Sequence, residues 1–225
     1  MPALSGAYGS VLLASPPAVA LSSEVLMDSG DHQTFRISTA SYGLKRYWDP
    51  QASWTVQTTT DGSTWTTVPA SGYSIRYLTG QVTLTSALSG SAPGCRVTGA
   101  YLPTATLGQV KDWTLTLSSD LADVTTMQGP SASVVFKQYV PLLLGAEAKL
   151  SLYYADATFW TLVQSGTVPN QLILVLYTGR TSTERYEAFA RVKQDEIKLA
   201  VDAIVEEGLD CTLDGLCLYF SGQYA

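Results

Sequence analysis

The sequence predicts a mainly β fold with one short helix, interrupted near its start by a small antiparallel β-sandwich. Three observations lead there. Between Ala148 and Thr178 a strand, a helix and a strand follow one another directly; apolar residues after Arg185 alternate at period two; and residues 19–104 hold a series of short strands with no helical pattern.

In the first of these stretches Leu150, Leu152 and Tyr154 alternate with Ser151 and Tyr153, as in a strand with one face on a core. Asp156 then suits an N-cap, Phe159, Leu162 and Val163 stand at i, i+3 and i+4, and Gly166 suits a helix end. After Pro169-Asn170, Leu172 to Tyr177 is polar on neither face, which predicts a strand covered on both. Arg185 to Lys193 and Glu196 to Ala203 read as two strands or one long bent one. Tyr186, Ala188, Ala190 and Val192 share a side of the first, and Ile197, Leu199, Val201 and Ala203 a side of the second. Glu206-Glu207-Gly208 reads as a turn into Leu209 to Phe220.

Earlier in the chain, Val11, Leu12 and Leu13 can join a sheet before Pro16-Pro17 forces the chain out of it. Phe35 and Ile37 alternate with polar residues, and Trp54 to Val68 reads as a hairpin about Asp61-Gly62 with Trp54, Val56 and Trp65 available to one core. Tyr73, Ile75 and Tyr77, then Val82 and Leu84, flank Thr79-Gly80, and Cys95 to Tyr101 makes a last strand before a linker at Leu102-Pro103-Thr104. Beyond it, Val110 to Leu117 is a strand, Ser118 to Asp123 a turn, Val124 to Met127 a return strand, and Gly129 to Gly145 a loop-rich passage with a short strand at Val134 to Lys137.

Composition narrows the function. Only 14% of the 225 residues are charged, against 46% hydrophobic. A lone globule with so little charge is poorly protected from association, so subunit contacts are expected over much of the surface, the alternative being a Thr/Ser-rich exterior. The net charge is −6. The acids of residues 19–104, Glu24, Asp28, Asp31, Asp49 and Asp61, are matched by Arg36, Lys45, Arg46, Arg76 and Arg96, so the excess lies in the rest. After residue 194, Asp195, Glu196, Asp202, Glu206, Glu207, Asp210 and Asp214 face only Lys198, which argues against conventional nucleic-acid recognition. Val11 to Ala20 ends in small residues but follows no Lys or Arg and is broken by two prolines, so a secretion signal is not expected, nor is any apolar run long enough for a membrane span.

Groups for catalysis are few. His32 is the single histidine and lies in Asp28-Ser29-Gly30-Asp31-His32, which reads as an exposed turn. Calcium between Asp28 and Asp31 fits no EF-hand spacing, and Asp195-Glu196 and Glu206-Glu207 read as solvated turn acids. Cys95, Cys211 and Cys217 form no CxxC and read as small buried residues. No phosphate loop or zinc motif occurs, so no catalytic residue, cofactor or metal is expected.

Several stretches together resemble the major tail tube proteins of long-tailed bacteriophages, a family related in fold to the tube protein of type VI secretion. They are Gly9-Ser10-Val11-Leu12-Leu13; Gly108 to Leu115 running on to Asp123-Val124-Thr125-Thr126-Met127; Leu150 to Ser165; Leu172 to Tyr177; and Tyr186 to Val192. The resemblance implies a tail tube domain over residues 1–18 and 105–225, a β-sandwich or half-barrel flanked by a helix, with residues 19–104 as an inserted β-sandwich domain. It further implies a virion tail protein, assembled in the host cytoplasm, whose copies form stacked hexameric rings. Its partners would be further copies, a tape measure protein, tail terminator and distal tail proteins, and viral DNA passing without specific recognition. Val11, Leu12 and Leu13 would then supply an inter-subunit strand. For the lumen we single out the polar face of the last strands, Lys198, Asp202, Asp210, Thr212 and Asp214, the alternative being that these face solvent outside. A second reading, from the aromatic insertion (Tyr42, Tyr47, Trp48, Trp54, Trp65, Tyr73, Tyr77), is a tail-tip or receptor-binding sandwich gripping a cell-surface glycan.

Overall fold

A computed structural model of the chain describes residues 9–14, 18–38, 41, 43, 45–123, 139–153, 172–178, 184–198 and 206–221. The expected helix over 156–166, the strands at 124–127 and 134–137, and Tyr42 lie outside the described residues. In chain order the strands are β1 (Gly9–Ala14), β2 (Val19–Asp28), β3 (Thr34–Arg36), β4 (Thr55–Thr59), β5 (Thr66–Thr67), β6 (Tyr73–Arg76), β7 (Gln81–Leu84), β8 (Gly94–Tyr101), β9 (Thr104–Asp123), β10 (Tyr139–Tyr153), β11 (Leu172–Tyr177), β12 (Arg185–Lys198), β13 (Glu206–Leu213) and β14 (Leu218–Phe220). The protein is mainly β, with one curled half-barrel sheet and a second sheet. It divides into two compact units, Met1–Val11 with Leu107–Ala225, and Leu12–Thr106.

The first sheet runs β11-β1-β9-β10-β13-β12-β14, and an additional pairing of β11 with β12 brings its two sides together. The period-two pattern sets its inner face: Ala148, Leu150 and Leu152 of β10 meet Cys211, Leu209 and Glu207 of β13 in register, and all are buried. Trp113, opposite Leu150, sits edge-on to Tyr186 with centroids 6.0 Å apart and donates its indole N–H to the Tyr177 carbonyl at 3.1 Å. Leu172 to Leu176 are buried on both faces, as an unbroken apolar run requires. Gly9 lets β1 lie close to β11, since a Cβ there would stand 2.7 Å from the Val175 carbonyl oxygen.

Three expectations about this unit need correction. Ser118 to Asp123 is not a turn: β9 continues through it, with Ser118 opposite Gly145 and Asp123 opposite Tyr139. Part of the passage read as loop, Tyr139 to Gly145, is therefore strand. Glu206 to Gly208 is not a turn either but the start of β13, where Glu207 is only 2% exposed between Leu152 and Ile197. β12 is one strand whose register shifts between Val192 and Gln194, so Lys193 is the extra residue of a bulge.

The second unit is a sheet in the order β5-β4-β8-β2-β3-β7-β6. β2 pairs with β8 over Val19 to Leu26 and with β3 at Met27 and Asp28, so it belongs to both halves. Between Leu21 and Glu24 its register shifts, Ser23 takes φ 51°, and the Ser23 N–H donates to Thr98 Oγ1 at 3.2 Å. Leu21, Leu26, Val56, Cys95 and Val97 from one half share a buried core with Phe35, Ile37, Val82 and Leu84 from the other. Trp48, fully buried, stacks on Trp54 at 4.6 Å between ring centroids. The hairpin around Asp61 closes because its carboxylate accepts the Ser63 and Thr64 N–H groups at 2.8 and 2.7 Å.

Gly99 sits beneath that stack: a Cβ there would lie 2.5 Å from Trp54 Cε3. Gly99→Ala is therefore expected to displace Trp54 and cost about 1–3 kcal/mol, read as a lower urea midpoint followed by tryptophan fluorescence.

Candidate assembly surface

The face of β9, β10, β13 and β12 opposite the buried one is a polar ladder. Gly208 lies between Ser151 and Glu196, Asp210 between Lys149 and Gln194, and Thr212 between Glu147 and Arg191. With Asp112, Glu206 and Asp214, the acids outnumber the bases Lys111, Lys149, Arg191 and Lys193. Each base is held by a carboxylate. Lys149 reaches Asp210 at 3.5 Å, Lys193 reaches Glu147 at 2.9 Å, Lys111 reaches Glu206 at 2.5 Å, and Arg191 places Nε and Nη2 at 3.0 and 2.9 Å from Asp214 Oδ2. The hydrogen bond from Lys193 holds Glu147 below the usual glutamate range and raises Lys193 in return. The absence of a side chain at Gly208 leaves an open hollow of ≈ 500 Å³ bounded by Asp112, Thr114, Lys149, Ser151, Gln194, Glu196 and Asp210.

Of the residues singled out for a lumen, Asp210 and Thr212 share this face and Asp214 ends it, its N–H donating to the Phe189 carbonyl at 2.8 Å. Lys198 stands in register with Glu206, and Asp202 lies outside the described residues. Val11 is fully buried and Leu12 half-buried in β1, and for Leu13 the backbone is described. β1 has β11 on one flank and β9 on the other, so its backbone is paired within the chain.

The flanks without a partner among the described residues lie elsewhere. Arg185 to Ala190 of β12 pair with β11, but from Arg191 to Lys198 β13 is the one partner among the described residues. Likewise Tyr139 to Ala146 of β10 pair with β9 alone among them, because the register with β13 begins at Glu147. The second unit differs: its edge strands are β5, with two residues, and β6, with four.

The other candidate residues are occupied structurally. Against a desolvation that raises it, hydrogen bonds from Gly30 and His32 hold the Asp28 carboxyl below its ordinary value, and Asp28 also contacts the His32 ring. Asp31 accepts the Gln33 and Thr34 N–H groups at 2.9 and 2.7 Å. Among the described residues no group of three His, Cys, Asp or Glu could hold a metal ion. Cys95 and Cys211 are buried, which pushes both thiols up to about 12. Trp48 and Tyr47 belong to the core, Trp54, Tyr73 and Tyr77 pack on it, and the Arg96 guanidinium covers Trp65 at 4.4 Å.

Sequence reasoning missed the buried ion pair of Arg185 and Glu187, 2.5 Å apart, and the contact of Asp195 with Glu207. Arg185 and Glu187 stand two apart on one side of β12, a spacing the sequence does show, whereas the approach of Asp195 to Glu207 follows from cross-strand register, for which the one-dimensional pattern holds no signal.

No protein-family model matches the sequence, and no curated protein matches it. Solved structures similar to it include a chain from the tail of an empty gene transfer agent particle, reconstructed by helical refinement with C6 symmetry. Identity is 10%, TM-score 0.40, and the match covers 52% of this chain and 87% of that one. A chain from the virion of a native gene transfer agent particle matches at 10% identity and TM-score 0.40, covering 52% of this chain and 88% of that one.

The buried and exposed ion pairs should separate in a stability assay. Glu187→Ala, which takes the carboxylate away from the buried Arg185 guanidinium, is expected to cost about 3–5 kcal/mol in urea unfolding. Asp214→Asn at the exposed end of the ladder should leave the midpoint unchanged.

Proposed function

We propose that the chain is a structural protein of a virion tail that assembles with copies of itself into stacked hexameric rings, forming the tube through which DNA is delivered. The observation that carries this reading is the pair of strand segments, Tyr139 to Ala146 and Arg191 to Lys198, that are paired on one side alone among the described residues. Unpaired strand flanks seek backbone partners, and a ring of copies supplies them without leaving a free edge. Head-to-tail pairing of two different flanks generates a closed ring when the rotation per copy divides the circle. The sequence features resembling tail tube proteins lie in the unit that bears these flanks.

The polar ladder suits a lumen. A duplex is gripped by Lys and Arg that neutralise its phosphates, and here Lys111, Lys149, Arg191 and Lys193 are each already held by a carboxylate. An acid-rich wall repels phosphate, so DNA slides without sticking. In this reading the protein is not an enzyme and binds no cofactor, its tape measure, terminator and distal tail partners contact the tube, and the second unit decorates it.

Electron microscopy of the purified, concentrated protein is expected to show hollow tubes or stacked rings; monomers at every concentration would rule the proposal out. Replacing Asp202, Asp210 and Asp214 with Lys should leave tubes intact and slow DNA passage, and unchanged ejection kinetics would remove the lumen assignment. Val19 pairs with Tyr101, so the two ends of the insertion stand side by side. Deleting Ser22 to Tyr101 through a short linker should therefore still allow tubes, whereas a folded deletion that fails to polymerise would make the second unit part of the assembly.

A further inference from the structure

On the outer side of the second unit an arginine is held in place from two directions. β8 turns Cys95 and Val97 into the core, so Arg96 points the other way, in one row with Gln57 and Thr67 on one flank and Val25 on the other. Its Nε donates to Gln57 Oε1 at 2.8 Å, and Gln57 Nε2 donates in turn to Thr67 Oγ1 at 3.3 Å. The guanidinium lies 4.4 Å from the centroid of the Trp65 ring. Trp65, expected in a core with Trp54 and Val56, is therefore on the outside, half-buried over β8 beside Gly94, where a Cβ would stand 3.6 Å from its ring.

The acids of this unit are engaged elsewhere. Glu24 stands opposite Val97, on the inward side of the same strand pair, and meets Lys45 at 3.0 Å. Asp61, in the turn between β4 and β5, accepts from the Ser63 and Thr64 N–H groups and from the Thr59 and Thr64 hydroxyls. Asp28 and Asp31 accept N–H groups of their own turn, and Asp49 accepts that of Gln51. Among the described residues, the N–H groups on Nη1 and Nη2 of Arg96 therefore meet no acceptor. We propose that this face is a binding site for an acidic polysaccharide, the Arg96 guanidinium taking a sugar carboxylate end-on through both Nη groups.

The surroundings of Arg96 select that ligand. A planar fork matches both oxygens of a carboxylate. Gln57 and Trp65 already fix its plane, so little side-chain freedom is left to lose on binding. Thr67, Gln57 and Thr98 offer hydroxyl and amide groups to neighbouring sugar hydroxyls, and Val25, 61% exposed, offers contact to the carbon face of a ring. A stable protein interface needs an apolar centre, and Val25 is the one aliphatic side chain in this row. A duplex is held by many phosphate contacts, and the row carries one base. The site belongs to the second unit alone and does not rest on the tube reading.

Isothermal titration calorimetry of the full chain against oligogalacturonate tests this, with a neutral maltooligosaccharide, inorganic phosphate and poly-glutamate as the other arms. Oligogalacturonate should bind, and more weakly as salt rises. Arg96→Gln should lower the affinity about 10- to 100-fold. Arg76→Gln, which removes the same charge from β6 in the other half of the unit, should leave it unchanged. Arg96→Lys keeps the charge but not the fork and should fall nearly as far as Arg96→Gln. Val25→Glu leaves Arg96 and Trp65 in place while setting a carboxylate against the site, so it should abolish binding even if the Arg96 variants fold poorly. No binding of oligogalacturonate by the wild type, equal losses from Arg96→Gln and Arg76→Gln, or full binding by Val25→Glu overturns the site. A neutral oligosaccharide that binds as tightly overturns the role of the carboxylate. Phosphate or poly-glutamate binding as tightly as oligogalacturonate overturns the polysaccharide, in favour of a bare-anion site or a protein-docking face.

Discussion

A strand has two flanks, and every backbone N–H and C=O along both needs a partner; the way the two units meet this demand separates their roles. The first unit curls its sheet until β11 reaches β12, which pairs many of the flanks internally. It then lets β10 and β12 run past their neighbours, so that eight-residue stretches are paired on one side among the described residues. Such overhangs cost little if a second chain covers them and invite aggregation if none does. The second unit ends instead in edge strands of two and four residues, too short to template another chain.

Charge follows the same division. In residues 19–104 acids and bases balance, while the rest of the chain holds the whole surplus of carboxylates. Those of the ladder are not spread at random. They sit at alternate positions of adjacent strands, each described base caught between or beside them. Exposed pairs of this kind add little to folding. In the proposed tube, such an arrangement would hold these cations away from a passing phosphate backbone.

Much of this architecture was legible in the sequence, and the failures share a cause. Alternation located Leu150 and Leu152, the double-sided burial of Leu172 to Leu176, and the Tyr73 to Leu84 hairpin, because in each a buried face imposes its period on consecutive residues. It failed at Ser118 to Asp123 and at Glu206 to Gly208, where polar residues and glycine look like turn chemistry but are held in strands by pairing with β10 and β12. Local propensity is weak there, and the partner strand decides. β2 was missed because its own bulge at Ser22-Ser23 breaks the alternation that would have announced it. The open flanks could not be read at all, since which strands border one another is a property of the sheet.

One feature of β12 was written in the sequence and becomes intelligible only with the register. Up to Val192 its alternating apolar residues, Tyr186, Ala188 and Ala190, are even-numbered, Phe189 being the one apolar residue between them, and from Ile197 onward they are odd-numbered. A period of two cannot change parity without an extra residue, and Lys193 is that residue. The insertion sends Lys193 out to Glu147 and brings Ile197 in, but the same step necessarily carries Asp195 inward with it. An acid at 195 would have faced solvent in an unbulged strand. Placed inside, it lies diagonal to Glu207, its carboxyl oxygens shut off from solvent. The bulge that continues the hydrophobic face thus also brings the two acids to one side of the sheet, within the very segment whose other flank has no partner among the described residues.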